Sequence, residues 1–377
     1  MRLAYVTNLP APYRVAFLNE LGRYCELTVF YERQSASDRD ANWRAEKPES
    51  YHEVYCGDRP IGADQSLGFD LMCRVRKAKF DRLLISGYSS PAVMALILDC
   101  QRRRIPYYMQ YDGGFPAAGG LRQTLKKRLL QPAAGHFTSS DVHAEYLRSL
   151  GIRPERIWKY PFTSLTKEDI LATPISDINR AAIRRELGVT EARIVLAVGR
   201  FIPCKGFDVL LQAAHLMQEP DLGFYLVGGE ATLEYAELCR AYGLTNVHFV
   251  SFQQKKALRR WYQMSDLFCL PTRGDTWGLV INEAFANALP VVTTTACGAG
   301  VELVRSGING ALVPPEDPAA LAEAIRQLLS GDIFLRRQEA LNTIRGFTAA
   351  NMARKHAEIL LPDYCQKEAH ERVANNN

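Results

Sequence analysis

The sequence lacks the features that would mark it as a membrane, secreted or zinc-binding protein. Its longest apolar run, residues 93–98, is followed by Asp99 and a basic triplet, whereas a spanning helix needs about 18–20 apolar residues. The nine cysteines are odd in number and contain no C-x-x-C pair, which argues against a disulfide framework and a zinc site. The N-terminus has no apolar signal core. We therefore expect a cytoplasmic protein.

Two nucleotide-binding signatures are missing as well. Neither a Walker A loop nor a G-x-G-x-x-G sequence occurs, which disfavours ATPases and dinucleotide enzymes. The triplet Asp38-Arg39-Asp40 lies in a polar stretch typical of a surface loop, so no metal site is predicted from it. With 47% hydrophobic and 23% charged residues the composition is that of a globular protein. A length of 377 residues suggests two domains.

The basic charge is concentrated in the first half of the chain. Residues 1–165 carry 24 Lys and Arg against 17 Asp and Glu, and the remainder carries 22 against 24. The cations cluster at residues 74–79, 102–104 and 126–128. Such clusters attract anionic lipid headgroups or nucleic acid, or are simply solvated surfaces. Aromatic residues that could stack on bases are only weakly interleaved with residues 102–104, although Tyr107, Tyr108 and Tyr111 follow them, and we expect no nucleic acid.

Short apolar runs alternate with amphipathic stretches, a pattern typical of βαβ units and parallel sheets. The predicted strands are residues 3–7, 25–31, 82–86, 105–110, 136–139, 194–198, 223–227, 247–250, 267–270 and 290–294. Residues 161–189 contain no convincing strand, which places a domain boundary there. We predict an α/β protein with domains at 1–165 and 166–347, and a helix and frayed tail at 348–377 that pack back toward the first domain.

The densest group of candidate site residues follows the predicted strand at 267–270. Asp275 lies in a loop, Gly278 opens a helix, and Glu283 lies in the second turn of that helix. The start of a helix presents unpaired N–H groups and positive dipole charge, which suits a phosphate. Two carboxylates flanking such a site can accept hydrogen bonds from ligand hydroxyls. Alternatively, both acids are ordinary surface residues.

A second strand–loop–helix junction carries two cations. After the strand at 194–198 comes Gly199-Arg200, followed by Lys205-Gly206. Arg200 and Lys205 are expected at the carboxyl edge of the second sheet, where ligands bind in open α/β folds. Two cations there could neutralise a diphosphate without a metal ion.

At these residues the sequence resembles the GT-B glycosyltransferases, specifically the retaining, sugar-nucleotide-dependent family 4 (glycosyl transferases group 1). Residues 198–206 resemble the family's G-R-x-x-x-x-K-G loop, and residues 226–229, with Gly228, its glycine turn. Residues 275–283 resemble its E-x7-E motif, with Asp275 in place of the first Glu. The resemblance covers the C-terminal half and is looser before it. It implies two Rossmann-like α/β/α domains facing a cleft.

The resemblance also implies residue roles. Arg200 and Lys205 would hold and stabilise the leaving diphosphate, near Gly199 and Gly228. Backbone N–H groups of Gly278, Leu279 and Val280 would bind the same phosphates. The Glu283 carboxylate would accept the ribose hydroxyls, and Asp275 would contact the donor sugar. The donor substrate would be a nucleotide diphosphate sugar such as a UDP- or GDP-hexose, with no cofactor and no metal.

In the first domain the resemblance places Arg14 on the acceptor side and Asp112, in a D-G-G sequence ending at Gly114, near the reacting groups. Such a sequence is also a common turn. His136 and His143 are expected to be structural. The implied acceptor is a saccharide or lipid-linked sugar in surface glycan assembly, with the basic domain on an anionic membrane. A nucleotide-sugar epimerase and a non-catalytic sugar-nucleotide or nucleic-acid binding protein remain as alternatives.

Overall fold

A computed structural model describes residues 1–34, 47–61, 65–113 and 121–361. The Asp38-Arg39-Asp40 triplet, Gly114 and the predicted frayed tail lie outside this part of the chain. The chain divides into two compact units. The N-terminal unit comprises Met1–Thr166 and the segment that begins at Phe347, and the C-terminal unit comprises Lys167–Gly346.

The N-terminal unit is built on a seven-stranded parallel sheet in the order β3-β2-β1-β6-β7-β8-β9. A short antiparallel hairpin, β4-β5, stands beside it. The inner strands are apolar and buried, as expected for a parallel sheet covered by helices on both faces. The elements are β1 (Arg2–Thr7), α1 (Pro12–Gly22), β2 (Glu26–Tyr31), β3 (His52–Tyr55), β4 (Arg59–Ile61), β5 (Gln65–Leu67), α2 (Asp70–Lys77), β6 (Arg82–Ser86), α3 (Pro91–Arg103), β7 (Tyr108–Gln110), α4 (Leu121–Leu130), β8 (Gly135–Thr138), α5 (Asp141–Ser149) and β9 (Ile157–Lys159).

The C-terminal unit is built on a six-stranded parallel sheet in the order β12-β11-β10-β13-β14-β15. Strand β10 lies between β11 and β13, so the loops after these strands share one edge of the sheet. The elements are α6 (Asp177–Glu186), β10 (Arg193–Val198), α7 (Phe207–Met217), β11 (Leu222–Val227), α8 (Leu233–Tyr242), β12 (Val247–Val250), α9 (Lys255–Met264), β13 (Leu267–Leu270), α10 (Leu279–Ala286), β14 (Val291–Thr294), α11 (Gly298–Leu303), β15 (Gly310–Val313), α12 (Pro318–Ser330) and α13 (Ile333–Ile344).

The prediction of an α/β fold with parallel sheets is confirmed, and all ten predicted strands are present. Strands β3, β9 and β15 were missed. Each lies at the edge of a sheet. Strands β3 and β9 mix polar and apolar residues, whereas β15 is apolar but only four residues long and begins with glycine. The hairpin β4-β5 was missed for a similar reason, because its strands have three residues each.

The last described helix, α14 (Ala349–Leu360), belongs to the N-terminal unit and packs on α1. Its first residue, Ala349, donates a backbone hydrogen bond of 2.8 Å to the carbonyl of Leu165. The ring of His356 lies 4.4 Å from the ring of Phe137 and 4.8 Å from that of Phe17. Burial lowers the pKa of His356 to about 3, so this histidine is a neutral component of the core.

The two histidines that were expected to be structural are buried in the N-terminal unit. His136 shares a hydrogen bond of 3.0 Å with the Tyr111 hydroxyl, and His143 shares one of 2.8 Å with the Thr138 hydroxyl. Burial lowers the pKa of His136 to about 3 and that of His143 to about 4. Both rings are therefore neutral at physiological pH.

Candidate functional site

The loop after β10 is held in place by glycines at its two ends. A side chain at Gly206, which has a φ of +69°, would put its Cβ 2.0 Å from the Pro271 carbonyl oxygen. A Cβ at Gly228, after β11, would lie 2.2 Å from the Gly199 carbonyl oxygen. Only glycine permits backbones to approach this closely. The two predicted glycine turns therefore pack directly on neighbouring loops, and they determine where Arg200 and Lys205 lie.

Arg273, which the sequence analysis did not single out, ties the loop after β13 to the loop after β10. Its guanidinium donates to both carboxylate oxygens of Asp208, at 2.8 and 2.6 Å, and to Glu316 at 2.9 Å. It also donates to the Pro203 carbonyl, at 2.7 Å. Burial alone would raise the pKa of Asp208, but the Arg273 hydrogen bonds outweigh it and hold that pKa low. The two loops are thus joined by a charged clamp.

Lys205 and Asp275 come from these two loops and meet. The Lys205 ammonium lies 2.5 Å from Asp275 Oδ2, and both side chains retain partial exposure, at 18% and 16%. The other Asp275 oxygen accepts a hydrogen bond of 3.3 Å from the backbone N–H of Trp277. The predicted phosphate ligand and the predicted sugar ligand are therefore paired with each other in this structure.

The helix α10 begins immediately after Gly278, as predicted. The φ of Gly278 is +94°, and a Cβ there would lie 2.8 Å from the Cys297 sulfur. The preceding Trp277 is buried, and its indole N–H donates to Asn282 at 2.9 Å. Leu279 and Val280 form the first turn, in which N–H groups have no partner within the helix. Such N–H groups, here close to Asp275, are suited chemically to an anion.

Glu283 is oriented by a buried tyrosine that the sequence analysis also missed. The Tyr262 hydroxyl, on α9, donates a hydrogen bond of 2.9 Å to Glu283 Oε2. Burial, followed by the nearby Glu283 carboxylate, raises the pKa of Tyr262. The tyrosine consequently keeps its proton and remains a hydrogen-bond donor, which fixes one oxygen of the carboxylate.

The structure thus brings most of the predicted residues of the second domain to one edge of its sheet. Lys205 and Asp275 are in contact, and Gly199 contacts Gly228. The exposed Arg200 follows β10 directly, at the same edge. Nothing in these contacts assigns a chemical role to any residue, so the roles stay predictions.

In the N-terminal unit, Arg14 and Asp112 form a second ion pair. The Arg14 guanidinium is 3% exposed and lies 2.5 Å from Asp112 Oδ2. It also donates to the Tyr5 hydroxyl at 2.9 Å. Burial alone would lower the pKa of Arg14, but Asp112 more than compensates and keeps it above its usual value. Tyr13 and Tyr160 donate to Asp112 at 3.3 and 3.4 Å.

A polar cavity of about 130 Å³ lies beside this pair in the N-terminal unit. Its lining includes Arg14, Asp112 and the buried Glu32, which the sequence analysis did not single out. The Ser90 hydroxyl, directly before α3, donates to Glu32 Oε2, as does the Ser66 hydroxyl at 2.6 Å. Glu32 could not be predicted as a cavity residue, because an acid that follows a short strand is ordinarily a surface residue.

The basic clusters of the N-terminal unit are partly neutralised by one acid. Asp99 on α3 accepts two hydrogen bonds from Arg76, at 2.8 and 2.5 Å. Arg102 and Arg103 lie 3.5 and 3.9 Å from the same carboxylate. The positive charge of these clusters is therefore smaller than the number of Lys and Arg residues in the sequence suggests.

The described residues contain neither a membrane-spanning helix nor a metal-binding cluster. No helix in this part of the chain is long and apolar enough to cross a membrane. No group of three or more His, Cys, Asp and Glu side chains, among the residues whose positions the structure gives, is arranged to hold a metal ion.

Comparison with known proteins locates the strongest similarity in the C-terminal unit. Residues 192–331 match the model of the family Glycosyl transferases group 1. A D-inositol 3-phosphate glycosyltransferase of Mycolicibacterium gilvum is 33% identical over 205 residues, which cover 52% of this chain and 45% of the relative. The matched region is thus less than half the length of that relative.

Comparison with solved structures extends over nearly the whole chain. Sucrose-phosphate synthase from Thermosynechococcus elongatus superposes with a TM-score of 0.72 at 18% identity, covering 97% of this chain and 100% of that one. Alr3699/HepE from Anabaena, solved in complex with UDP and glucose, gives a TM-score of 0.72 at 19% identity, covering 96% and 99%. At this identity the similarity establishes the fold, which is that of GT-B glycosyltransferases.

Proposed function

We propose that the chain is a retaining glycosyltransferase, because residues 192–331 match the family Glycosyl transferases group 1 and the chain has the GT-B fold. It transfers a hexose from a nucleotide diphosphate sugar to a saccharide or lipid-linked acceptor in surface glycan biosynthesis. The observation that supports this best is the meeting of Lys205, Asp275 and the start of α10 at one edge of the C-terminal sheet.

The chemistry of this edge suits a diphosphate. Arg200 and Lys205 supply two positive charges, and the first turn of α10 supplies N–H groups and the positive end of a helix dipole. Lys205 is a compact charge on a flexible stem, so a diphosphate can replace Asp275 as its partner. Asp275 is then released to accept hydrogen bonds from the donor sugar. These groups do the neutralising work without a metal ion, and we propose that none is required.

Glu283 supports the assignment of the donor as a nucleotide. A carboxylate with one oxygen held by Tyr262 is preorganised to accept a pair of ribose hydroxyls. The Anabaena structure contains UDP and glucose, which favours a uridine nucleotide in this chain, with a guanosine nucleotide as the alternative.

In the proposed reaction the bond between the anomeric carbon and the β-phosphate oxygen breaks as the acceptor oxygen attacks from the same face. The departing phosphate oxygen takes the proton of the acceptor hydroxyl, so that charge and atoms balance. Arg200, Lys205 and the α10 dipole stabilise the negative charge that develops on the diphosphate. Preorganised electrostatic stabilisation of this kind is commonly the largest single contribution to catalysis.

A donor panel tests the proposal. Nucleotide diphosphate sugars are added one at a time to the full chain and the melting temperature is recorded. A true donor at 100 times its Kd stabilises the fold by about 2.7 kcal/mol. Glu283→Ala is expected to abolish the shift, whereas Glu237→Ala, at an exposed position on α8, retains it. Proton NMR of the product then reports the anomeric configuration. An inverted product, or no stabilisation by any donor, would refute the proposal.

We also propose a cytoplasmic location with peripheral binding to an anionic membrane through the N-terminal unit. Lys127 and Arg128 on α4, and Arg102–Arg104 at the end of α3, are exposed. Flotation with anionic and neutral liposomes at low salt tests this. Binding to anionic liposomes alone, reduced when Lys126, Lys127 and Arg128 are neutralised, is expected. Equal flotation with both liposome types contradicts it.

A further inference from the structure

The backbone of Asp275 is held by residues 294–299, which run from the end of β14 into α11. The Asp275 N–H donates to the Ala296 carbonyl at 3.0 Å, and the Asp275 carbonyl accepts from the Gly298 N–H at 3.1 Å. Asp275 and Cys297 thereby form a parallel bridge. The pairing of β13 with β14 thus resumes beyond the ends of both strands, at the acid that was predicted to contact the donor sugar.

Two further contacts hold the chain on either side of this acid. Before it, the Thr272 carbonyl accepts from the Thr294 hydroxyl at 2.6 Å. After it, the Trp277 carbonyl accepts from the Ala299 N–H at 2.7 Å and from the Cys297 thiol at 3.1 Å. Burial raises the pKa of Cys297 to about 12. The thiol therefore keeps its proton and remains a hydrogen-bond donor.

A glycine allows the two segments to lie this close. A Cβ at Gly298 would lie 2.2 Å from the Thr276 carbonyl oxygen, and backbones approach to such a distance only where a side chain is absent. On the other side, Gly278 packs on the Cys297 sulfur. A methyl group added at Gly298 would therefore push residues 275–277 away from residues 294–299.

The side chain of Asp275 has weaker anchors than its backbone. One carboxylate oxygen accepts from the Trp277 N–H at 3.3 Å, and the other is paired with the Lys205 ammonium. Lysine carries its charge on a long, flexible stem, so this pair does not fix where the carboxylate lies. The position of the carboxylate is consequently set by the backbone contacts with residues 296–298.

We propose that Cys297 and Gly298 are positioning residues, which hold the Asp275 carboxylate where it meets Lys205 and where a donor sugar would bind. The contact with the sugar rests on the proposed function, whereas the positioning of the carboxylate against Lys205 does not. The groups proposed to bind the nucleotide, Glu283 and the first turn of α10, lie beyond residues 275–277. Displacing Asp275 should therefore weaken binding of the sugar moiety and spare the nucleotide.

Gly298→Ala tests this division between sugar and nucleotide. UDP-glucose with UDP, and GDP-mannose with GDP, serve as probes, and each Kd is measured by titration calorimetry on the full chain. The Kd of the nucleotide sugar that binds is expected to rise about tenfold, because a hydrogen bond to a charged group is lost. The Kd of its nucleoside diphosphate should change less than about twofold. Equal weakening of both ligands overturns the proposal.

Gly310→Ala is the matched control for this variant. A Cβ there would lie 2.1 Å from the Val291 carbonyl oxygen, so the clash is as severe, but it lies at the start of β14 and not beyond its end. The variant is expected to lower the melting temperature comparably and to keep the wild-type ratio of the two Kd values. A ratio that changes equally in both glycine variants contradicts the positioning.

Cys297→Ala replaces Gly298→Ala if the latter does not fold. Loss of the thiol donor should change the same ratio about threefold, and Cys297→Ser, which keeps a donor to the Trp277 carbonyl, should restore it. Cys269→Ala, at a buried cysteine of β13, should leave the ratio unaltered. No change in Cys297→Ala, or an equal change in Cys269→Ala, overturns the proposal.

Lysine NMR separates this inference from the proposed function. With lysine isotope-labelled at Cε, the Lys205 signal is assigned by its loss in Lys205→Arg and reports the nearby carboxylate without any ligand. Asp275→Asn should shift the signal, Gly298→Ala should shift it in the same direction, and Gly310→Ala should leave it in place. If these shifts occur but no donor supports transfer, the proposed function fails and the positioning stands. An unshifted signal in Gly298→Ala overturns the positioning, whatever the transfer assay shows.

Discussion

Each unit holds one predicted cation against one predicted acid, and the two ion pairs differ in their surroundings. Lys205 and Asp275 lie 2.5 Å apart in the C-terminal unit, as do Arg14 and Asp112 in the N-terminal unit. Lys205 and Asp275 are 18% and 16% exposed, whereas Arg14 is 3% exposed and its partner Asp112 is 23% exposed. The two pairs, similar in distance, thus differ mainly in the cation, which is buried in the N-terminal pair (the buried pair) and partly exposed in the C-terminal pair (the open pair).

The number of additional partners separates the two pairs further. Arg14 also donates to Tyr5, and Asp112 accepts from Tyr13 and Tyr160. Asp275 has the Trp277 N–H, and Lys205 is a compact ammonium that can rotate to a new partner. We interpret the open pair as one that a ligand can exchange, and the buried pair as part of the framework of the N-terminal unit.

The largest effect is expected from breaking the buried pair. Arg14→Leu removes the buried cation and its hydrogen bonds to Tyr5 and Asp112, and since Asp112 keeps partial exposure we expect a loss of about 1–3 kcal/mol of unfolding free energy. The loss of unfolding free energy is measured by urea denaturation, with hydrogen exchange of β1 and α1 reporting the unfolding of the N-terminal unit. In the open pair, Lys205→Ala should cost less than about 1 kcal/mol. If Arg14→Leu and Lys205→Ala lose equal unfolding free energy, the proposed difference between the two ion pairs is wrong.

The open pair should dominate turnover instead. Lys205→Ala is expected to lower kcat roughly 10²- to 10³-fold, the range for loss of one preorganised group that stabilises developing charge. Initial rates with a verified donor measure it. Lys255→Ala breaks another lysine–aspartate pair of the same unit, at 2.7 Å from Asp169, and should leave kcat unchanged. Near-native turnover of Lys205→Ala would exclude Lys205 from the chemistry.

A smaller effect is expected at the hydrogen bond by which the Tyr262 hydroxyl orients the Glu283 carboxylate. Tyr262→Phe removes one hydroxyl, worth about 1 kcal/mol, and should raise the donor KM roughly fivefold without changing kcat. Steady-state kinetics at varied donor concentration separates the two constants. Tyr242→Phe, on α8, serves as the control. A fall in kcat with an unchanged KM would indicate that Tyr262 acts on the transition state and not on donor binding.

The inner strands could be predicted from sequence because burial on both faces requires continuous apolar runs. Residues 194–198 and 267–270 are such runs, and both form strands. The short edge strand β9, with one exposed residue, has no comparable pattern. Burial, which constrains residue type, thus made most strands predictable, although the partly buried edge strand β12 was also predicted from its apolar residues.

The contacts of the site were less predictable than its members. Lys205 and Asp275 were both singled out, but their meeting depends on how two loops from neighbouring strands are set, which local sequence does not encode. Arg273 and Tyr262 were missed because an arginine in a polar loop is ordinarily solvated, and a tyrosine on an amphipathic helix is ordinarily a core residue. Their significance lies in partners that are distant in sequence.

The return of α14 to the N-terminal unit has a consequence for how the chain is made. The aromatic cluster around His356 includes Phe17 and Phe137, which are synthesised long before it. About 180 residues of the C-terminal unit intervene, and at roughly 5–20 residues per second this is a delay of about 10–40 s. During that interval the first unit lacks one wall of its core, so the unit that begins first is completed last.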